Sequence, residues 1–119
     1  MPSVVETRSY GSVTVSWLNR AEARRRLDQA ARRLVQARPE VLAVHLFGSL
    51  AEDRAVPSSD ADLLIVLEHS DRRWIDRPLD YDTFFEDCGL PVELFCYTHT
   101  ELENVALARE ARDRGIRLA

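Results

Sequence analysis

Three short apolar runs set the strongest constraint on how this chain folds. They read VLAVHLF at 41–47, DLLIVL at 62–67 and PVELFCY at 91–97. Successive side chains of a strand point to opposite faces of a sheet, so runs that are apolar at nearly every position predict strands buried on both faces. The stretches between the runs are long enough to hold helices. The sequence therefore predicts a sheet whose strands are covered by helices.

The segment before the first run has the clearest helical pattern. Asn19 is placed as an N-cap, Glu22 follows three residues later as a capping-box partner, and Pro39 stops the helix at about Arg38. Its apolar residues form one stripe: Leu27, Ala31, Leu34 and Val35. Most of its arginines lie on the other side, where they indicate a solvated face or, as an alternative, a docking surface for RNA or an acidic protein.

Weaker patterns complete the predicted order of elements. They are a strand at 13–18, a short helix at 49–55, a helix at 79–88 with Pro78 at its first turn, and a last helix capped by Thr98 or Thr100 that ends near Arg114 with Gly115 as its C-cap. The order is β-α-β-α-β-α-β-α. It predicts an α/β (α+β) domain of two layers, with helices packed against a mixed sheet, and one domain over residues 1–119.

Composition excludes several classes of protein. The longest apolar run, 63–67, is far too short to cross a membrane, and the first residues lack a secretory pattern, so we expect a cytoplasmic protein with no membrane partner. Cys88 and Cys96 are too few for a zinc site and are expected to be buried thiols. All 16 basic residues are arginine, which excludes a Schiff-base lysine and a P-loop lysine.

Three carboxylates are candidates for a metal site. Asp60 and Asp62 are two residues apart at the entry of an apolar strand, so in a strand both side chains point to one face. Glu93 is the only charge in the third apolar run. If this glutamate lies beside the two aspartates, the three side chains form an oxygen-ligand site for a hard divalent cation, and Mg²⁺ fits best.

Gly48 and Ser49 follow the first apolar run and are candidates for binding phosphate. Glycine at a strand end lets the backbone approach a bulky ligand, and a following helix would present its N-terminal amides to an anion. The Ser49 hydroxyl can donate to a phosphate oxygen. A phosphate cradle next to a cation site suits a magnesium–nucleoside triphosphate. Each feature also has an ordinary structural reading as a turn, a cap or an exposed edge residue.

The stretch GSLAEDRAVPSSDADLLIVL resembles the DNA polymerase β-like nucleotidyltransferase superfamily: Gly-Ser, ten residues, Asp-x-Asp and then an apolar strand. The segment PVELF is similar to the strand that carries that family's third carboxylate. Size and element order resemble the minimal nucleotidyltransferases. The resemblance covers about 41–118 and implies the polymerase β palm-like fold.

The resemblance also implies roles for the candidate residues. Asp60 and Asp62 would ligate two Mg²⁺ ions, and Glu93 would help to ligate one of them or act as base on the attacking hydroxyl. Gly48 and Ser49 would hold the β and γ phosphates of ATP or another NTP. Many members continue Gly-Ser-x-Ala-Arg-Gly, whereas this chain has Glu52-Asp53 in place of Arg-Gly, and Arg54 is placed to supply the missing cation.

The resemblance further implies a protein partner. A chain of this length has little room for an acceptor-binding domain, and minimal nucleotidyltransferases are paired with HEPN-domain proteins as the antitoxins of toxin–antitoxin pairs. Three functions follow as hypotheses. They are transfer of AMP to a partner protein, a binding module without chemistry, and a stand-alone transferase that acts on RNA or a small metabolite.

Overall fold

The computed structural model describes residues 3–119. Its elements are β1 (Val5–Tyr10), β2 (Val13–Leu18), α1 (Arg20–Ala37), β3 (Val41–Phe47), β4 (Ala61–Leu67), 3₁₀ helices at Trp74–Asp80 and Asp82–Phe85, β5 (Val92–Thr98), α2 (His99–Leu102), α3 (Ala106–Arg114) and β6 (Ile116–Arg117). β3, β4, β5 and β6 form one sheet in the order β5-β4-β3-β6. β3 pairs antiparallel with both β4 and β6, and β4 pairs parallel with β5. The predicted mixed sheet with helices packed against it is confirmed.

The core lies mainly between α1 and one face of the sheet. Leu27 and Leu34 of α1 are fully buried against Val44, Leu63 and Ile65. Asn19 caps this helix by accepting a hydrogen bond from the Glu22 backbone, as predicted. The predicted capping box is not completed from the Glu22 side, because that carboxylate pairs with the arginines of the next turn.

Helices also cover part of the opposite face of the sheet. Ala108 and Ala111 of α3 and Leu102 of α2 pack on Leu64 and Val66 of β4. Polar loops lie at the end of the sheet where β3 ends and β4 and β5 begin, and the turn after β3 faces α3 there. That end is where the candidate site residues of the sequence lie.

Two predicted helices are wrong in detail. The segment 79–88 forms no α-helix. A 3₁₀ helix begins earlier, at Trp74, and contains Pro78, and a second 3₁₀ helix follows it. The last predicted helix is split into α2 and α3. Thr98 and Glu101 close a capping box around α2, and Val105 then adopts an extended backbone before α3 begins.

Two strands were not predicted. β1 pairs with β2 as a hairpin in which Gly11 has a φ of +62°. β2 is the strand predicted at 13–18, whereas β1, with the sequence VETRSY, is too polar to be recognised. β6 consists of only two residues at the edge of the sheet, and α3 passes directly into it through Gly115. A side chain on Gly115 would overlap the carbonyl oxygens of Ala111 and Leu46, so close packing requires glycine here.

The two cysteines are buried in the core. Cys88 and Cys96 are free thiols, as expected from the sequence. In the part of the chain that the structure describes, no helix has the length and apolar character needed to span a bilayer.

A buried arginine connects the 3₁₀ segment to β5 and α2. The Arg77 guanidinium donates two hydrogen bonds to the Glu101 carboxylate, at 2.6 and 3.1 Å, and one to the Cys96 carbonyl. The two hydrogen bonds from Arg77, together with the bonds to Thr98 in the α2 cap, lower the pKa of Glu101 to about 2. The ion pair therefore fixes the connection between β4 and β5 on the sheet edge.

This ion pair predicts a specific loss of stability in acid. Between pH 4.5, the ordinary value for glutamate, and about 2, unfolded chains protonate Glu101 while folded chains do not, so the free energy of unfolding falls as pH falls. In urea titrations across that window, Glu101→Gln and Arg77→Met should both reduce this slope. Arg77→Met should also cost about 2 kcal/mol at pH 7, the scale of a hydrogen bond to a charged group. Wild-type slopes in both variants would contradict the assignment.

Candidate active site

Pairing in the sheet brings two of the three candidate carboxylates together. Asp62, the second residue of β4, lies opposite Glu93 of β5 in the parallel register and opposite Phe47 of β3 in the antiparallel register. Paired residues on adjacent strands point to the same face, about 4.8 Å apart along the hydrogen-bonding direction. Asp62 and Glu93 therefore share the face of the sheet that α3 only partly covers.

Gly48 presses directly against this aspartate. It follows β3 with a φ of +76°, a left-handed conformation in which residues with side chains are strained. A Cβ built on Gly48 would overlap the Oδ2 atom of Asp62. The chain therefore needs glycine here for two reasons, the backbone conformation and the space occupied by the carboxylate.

The electrostatics of Asp62 indicate a cluster of like charges. Partial burial raises its pKa, and the nearby charges of Glu93 and Asp60 raise it further. Asp60 itself is exposed just before β4. Within residues 3–119, none of these three carboxylates has an arginine partner or accepts a hydrogen bond from another side chain. Like charges without counterions favour a bound cation.

The donor set suits a hard divalent cation, because it consists of carboxylate oxygens. Across the described residues, 3–119, no three acidic, histidine or cysteine side chains are already gathered around one metal position. Asp60, Asp62 and Glu93, called the carboxylate corner below, lie close enough for their charges to act on Asp62 but do not surround one metal position.

The predicted short helix at 49–55 does not form. Residues 49–53 make consecutive turns in which the Glu52 amide donates to the Gly48 carbonyl and the Arg54 amide to the Ser49 carbonyl. In the described chain, the backbone N–H groups of Ser49, Leu50 and Ala51 donate to no protein acceptor. One turn thus presents free amides beside the carboxylate corner, which is the chemistry expected of an anion cradle.

Asp53 stands at the position where the resemblance implies a glycine. Its φ is +60°, a conformation that glycine adopts freely and that aspartate tolerates better than most residues. The Arg20 guanidinium at the start of α1 donates to Asp53 at 3.2 Å and to the Ala55 carbonyl at 2.8 Å. The loop is therefore anchored to α1 by a residue that the sequence did not single out.

Arg54 is engaged by its neighbour. Its guanidinium forms an ion pair with Glu52, and both side chains are exposed. The charge of Arg54, which was predicted to serve the phosphates, is thus neutralised in part by Glu52.

Two aromatic residues beside the carboxylate corner were also missed. Phe47 and Phe95 pack edge to face with ring centroids 5.3 Å apart. Phe95 is two residues beyond Glu93, and Phe47 is the register partner of Asp62, so both rings share the face of the carboxylates. Glu93 and Phe95 are two residues apart in one strand, so the sequence already places them on one face. A single phenylalanine in an apolar strand, however, is assigned to the core.

Comparison with known proteins now assigns the family. The nucleotidyltransferase domain family matches residues 26–115, which is most of the chain. The protein belongs to this family. The matched segment contains the turn after β3, the carboxylate corner and α3.

A solved structure supports the fold. The chain is similar to a candidate nucleotidyltransferase from Sulfolobus solfataricus, with a TM-score of 0.60 and 19% sequence identity over 73% of this chain and 77% of that one. At this identity the likeness concerns the fold. No curated protein matches the chain at a significant level.

The contact between Gly48 and Asp62 makes a prediction about the site. Gly48→Ala should destabilise the fold by more than Gly11→Ala, because both replace a glycine of positive φ but only Gly48 faces a carboxylate. Gly11→Ala should cost about 1–2 kcal/mol from backbone strain alone. Urea unfolding of both variants measures the difference. Equal losses would show that Asp62 does not occupy the space beside Gly48.

Proposed function

We propose that this chain is a magnesium-dependent nucleotidyltransferase that moves a nucleoside monophosphate, AMP, from ATP to a hydroxyl group of a partner protein. The observation that carries the proposal is the register of Asp62 with Glu93 and its contact with Gly48, next to a turn with free amides. Membership of the nucleotidyltransferase domain family supports transfer of a nucleotidyl group.

Asp60, Asp62 and Glu93 are the residues that would hold Mg²⁺, two ions by the family resemblance. The ions would supply positive charge that stabilises the phosphates during transfer. The raised pKa of Asp62 fits this role, because a cation relieves the repulsion that the neighbouring carboxylates impose.

Groups of the chain itself bind the triphosphate and orient the attacking hydroxyl. The Ser49 hydroxyl and the amides of Ser49, Leu50 and Ala51 donate to the β and γ phosphates. In the reaction the acceptor oxygen bonds to the α phosphorus, the bond to the β-phosphate oxygen breaks, and pyrophosphate leaves. Glu93 is exposed beside Asp62 and takes the proton of the attacking hydroxyl.

Exposure of the carboxylate corner supports a macromolecular acceptor. Asp60 and Glu93 both lie on the surface, so a hydroxyl on another protein can approach them without entering a deep cleft. By the resemblance to minimal nucleotidyltransferases, the acceptor is a tyrosine of a HEPN-domain partner, and the chain acts as the antitoxin of that pair.

A second function is favoured by the Glu52–Arg54 ion pair. Glutamate at the usual arginine position adds negative charge near the phosphates and engages Arg54, which weakens the electrostatic stabilisation of a transferred phosphate. The alternative is therefore a module that binds nucleotide and a partner protein without rapid transfer.

Nucleotide binding can be tested by thermal unfolding. Mg²⁺ with ATP should raise the Tm, because a ligand at about 100 times its Kd adds about 2.7 kcal/mol to the stability of the folded state. ATP without Mg²⁺ should shift it less. Asp62→Asn should remove most of the shift, whereas Asp71→Asn, the same charge change at an exposed loop position, should retain it. A full shift in Asp62→Asn would place the nucleotide elsewhere.

Transfer can be tested with a HEPN-domain partner, ATP and Mg²⁺. Mass spectrometry should find one added AMP on a tyrosine of the partner. Glu93→Gln should abolish this product and keep the fold, because its side chain is exposed and makes no packing contribution. Ser49→Ala should cost less, about 1–3 kcal/mol in transition-state stabilisation, since backbone amides remain. If wild type and Glu93→Gln bind the partner equally and neither modifies it, the binding-module function replaces transfer.

A further inference from the structure

The β1–β2 hairpin is an exposed arm that the nucleotidyltransferase site does not use. Every residue from 6 to 17 is exposed, and the hairpin joins the body at its base, where Val4 is buried and its amide donates to the Gly89 carbonyl. The match to the nucleotidyltransferase domain begins only at residue 26, so the family does not account for this arm. A hairpin of two strands is marginally stable in water without further strands or a packed face.

One face of the hairpin is apolar. Val13, Val15 and Trp17 alternate along β2 and therefore point to one side, and Tyr10 of β1 joins them because it is the register partner of Val13. Each of these four side chains is between 42% and 58% exposed. Single exposed apolar residues are ordinary, but four of them together on one small sheet indicate an interaction surface.

The two strands of the hairpin have edges of different character. β1 reads VETRSY and carries the charges of Glu6 and Arg8, which are the kind of residues that protect an exposed edge from pairing. β2 reads VTVSWL and has no charge, no proline and no glycine. Within residues 3–119, β2 pairs with β1 alone, so its second edge has no strand partner there. β2 therefore has the composition of a strand that is paired on both sides.

The sequence of β2 is complementary to itself. Antiparallel pairing of two copies about a two-fold axis at Val15 sets this residue opposite its own copy, Val13 opposite the partner's Trp17, and Thr14 opposite the partner's Ser16. Pairs of an aromatic with a β-branched residue, and pairs of hydroxyl residues, are favourable across strands. One patch that matches itself in this way is the property of a two-fold symmetric interface.

We propose that two copies of this chain form a dimer by pairing their β2 edges antiparallel about Val15. The product is a four-stranded sheet, β1-β2-β2-β1, in which the apolar faces of the two hairpins are continuous. Ser12 at each tip lies opposite the partner's Leu18, where the hairpin joins the body, so the two bodies lie at opposite ends of the sheet. The charged β1 strands form its outer edges and stop further copies from adding.

The mass of the chain in solution tests the dimer, measured by sedimentation over a series of concentrations. Wild type should reach twice the mass of one chain. Val15→Lys and Val15→Glu should each give monomers, because each sets two like charges directly opposite at the axis. An equal mixture of these two variants should restore the doubled mass. Thr7→Lys adds the same charge at an exposed position of β1 and should keep the dimer.

Cross-linking gives a second readout that does not add charge. Val15→Cys should form a disulfide-linked dimer on mild oxidation, since side chains directly opposite in an antiparallel pair have Cβ atoms about 5 Å apart. Thr7→Cys, equally exposed but on β1, should form it about tenfold more slowly, because its copies are not opposite each other in this pairing. The native thiols at Cys88 and Cys96 are buried and do not compete.

Each outcome supports or overturns the dimer. A wild type that stays monomeric at every concentration would overturn it and leave the β2 edge to a strand of a different protein. A dimer that persists in both charged Val15 variants would place the interface elsewhere on the chain. Monomeric variants whose mixture stays monomeric, with equal cross-linking rates at positions 7 and 15, would overturn the pairing about Val15. The carboxylate corner is intact in all these variants, so none of these results bears on nucleotide transfer.

Discussion

The pairing register of β4 is the constraint on which the site depends. β4 lies between β3 and β5, and its apolar residues at alternate positions, among them Leu63 and Ile65, pack against α1. The remaining positions, including Asp62, face the other side of the sheet. A slip of one residue would turn Asp62 toward the core and away from Gly48 and Glu93. Burial of Leu63 and Ile65 under α1 therefore fixes the face of the sheet on which Asp62 lies.

The same end of the sheet combines clustered like charges with unusual backbone conformations. Glu22 and Glu101 are paired with arginines, whereas Asp62 lies near the charges of Glu93 and Asp60 and has no arginine partner in the described chain. Gly48 and Asp53 both have positive φ in the adjoining loop. Strain and unpaired charge concentrated at one place are typical of a functional site and not of a stabilising one.

The central strands and α1 could be predicted because each depends on short-range patterns. An apolar run specifies a buried strand, and the position of Asp62 at the entry of such a strand follows from it. The failures have different physical causes. The segment at 74–85 is coiled around the buried ion pair of Arg77, which no local propensity reveals. β6 exists only because α3 returns the chain to the edge of β3, and the anchor from Arg20 to Asp53 joins residues 33 positions apart.

The most direct measurement is the location of a bound divalent ion by paramagnetic NMR. Mn²⁺ takes the same kind of oxygen ligands as Mg²⁺ and broadens the signals of nearby nuclei. With ATP and a small amount of Mn²⁺, the amide signals of Gly48, Asp62 and Glu93 should broaden first, while those of the β1–β2 hairpin stay sharp. Sharp signals at these three residues, with broadening at another acidic surface such as that around Asp71 and Asp76, would contradict the account.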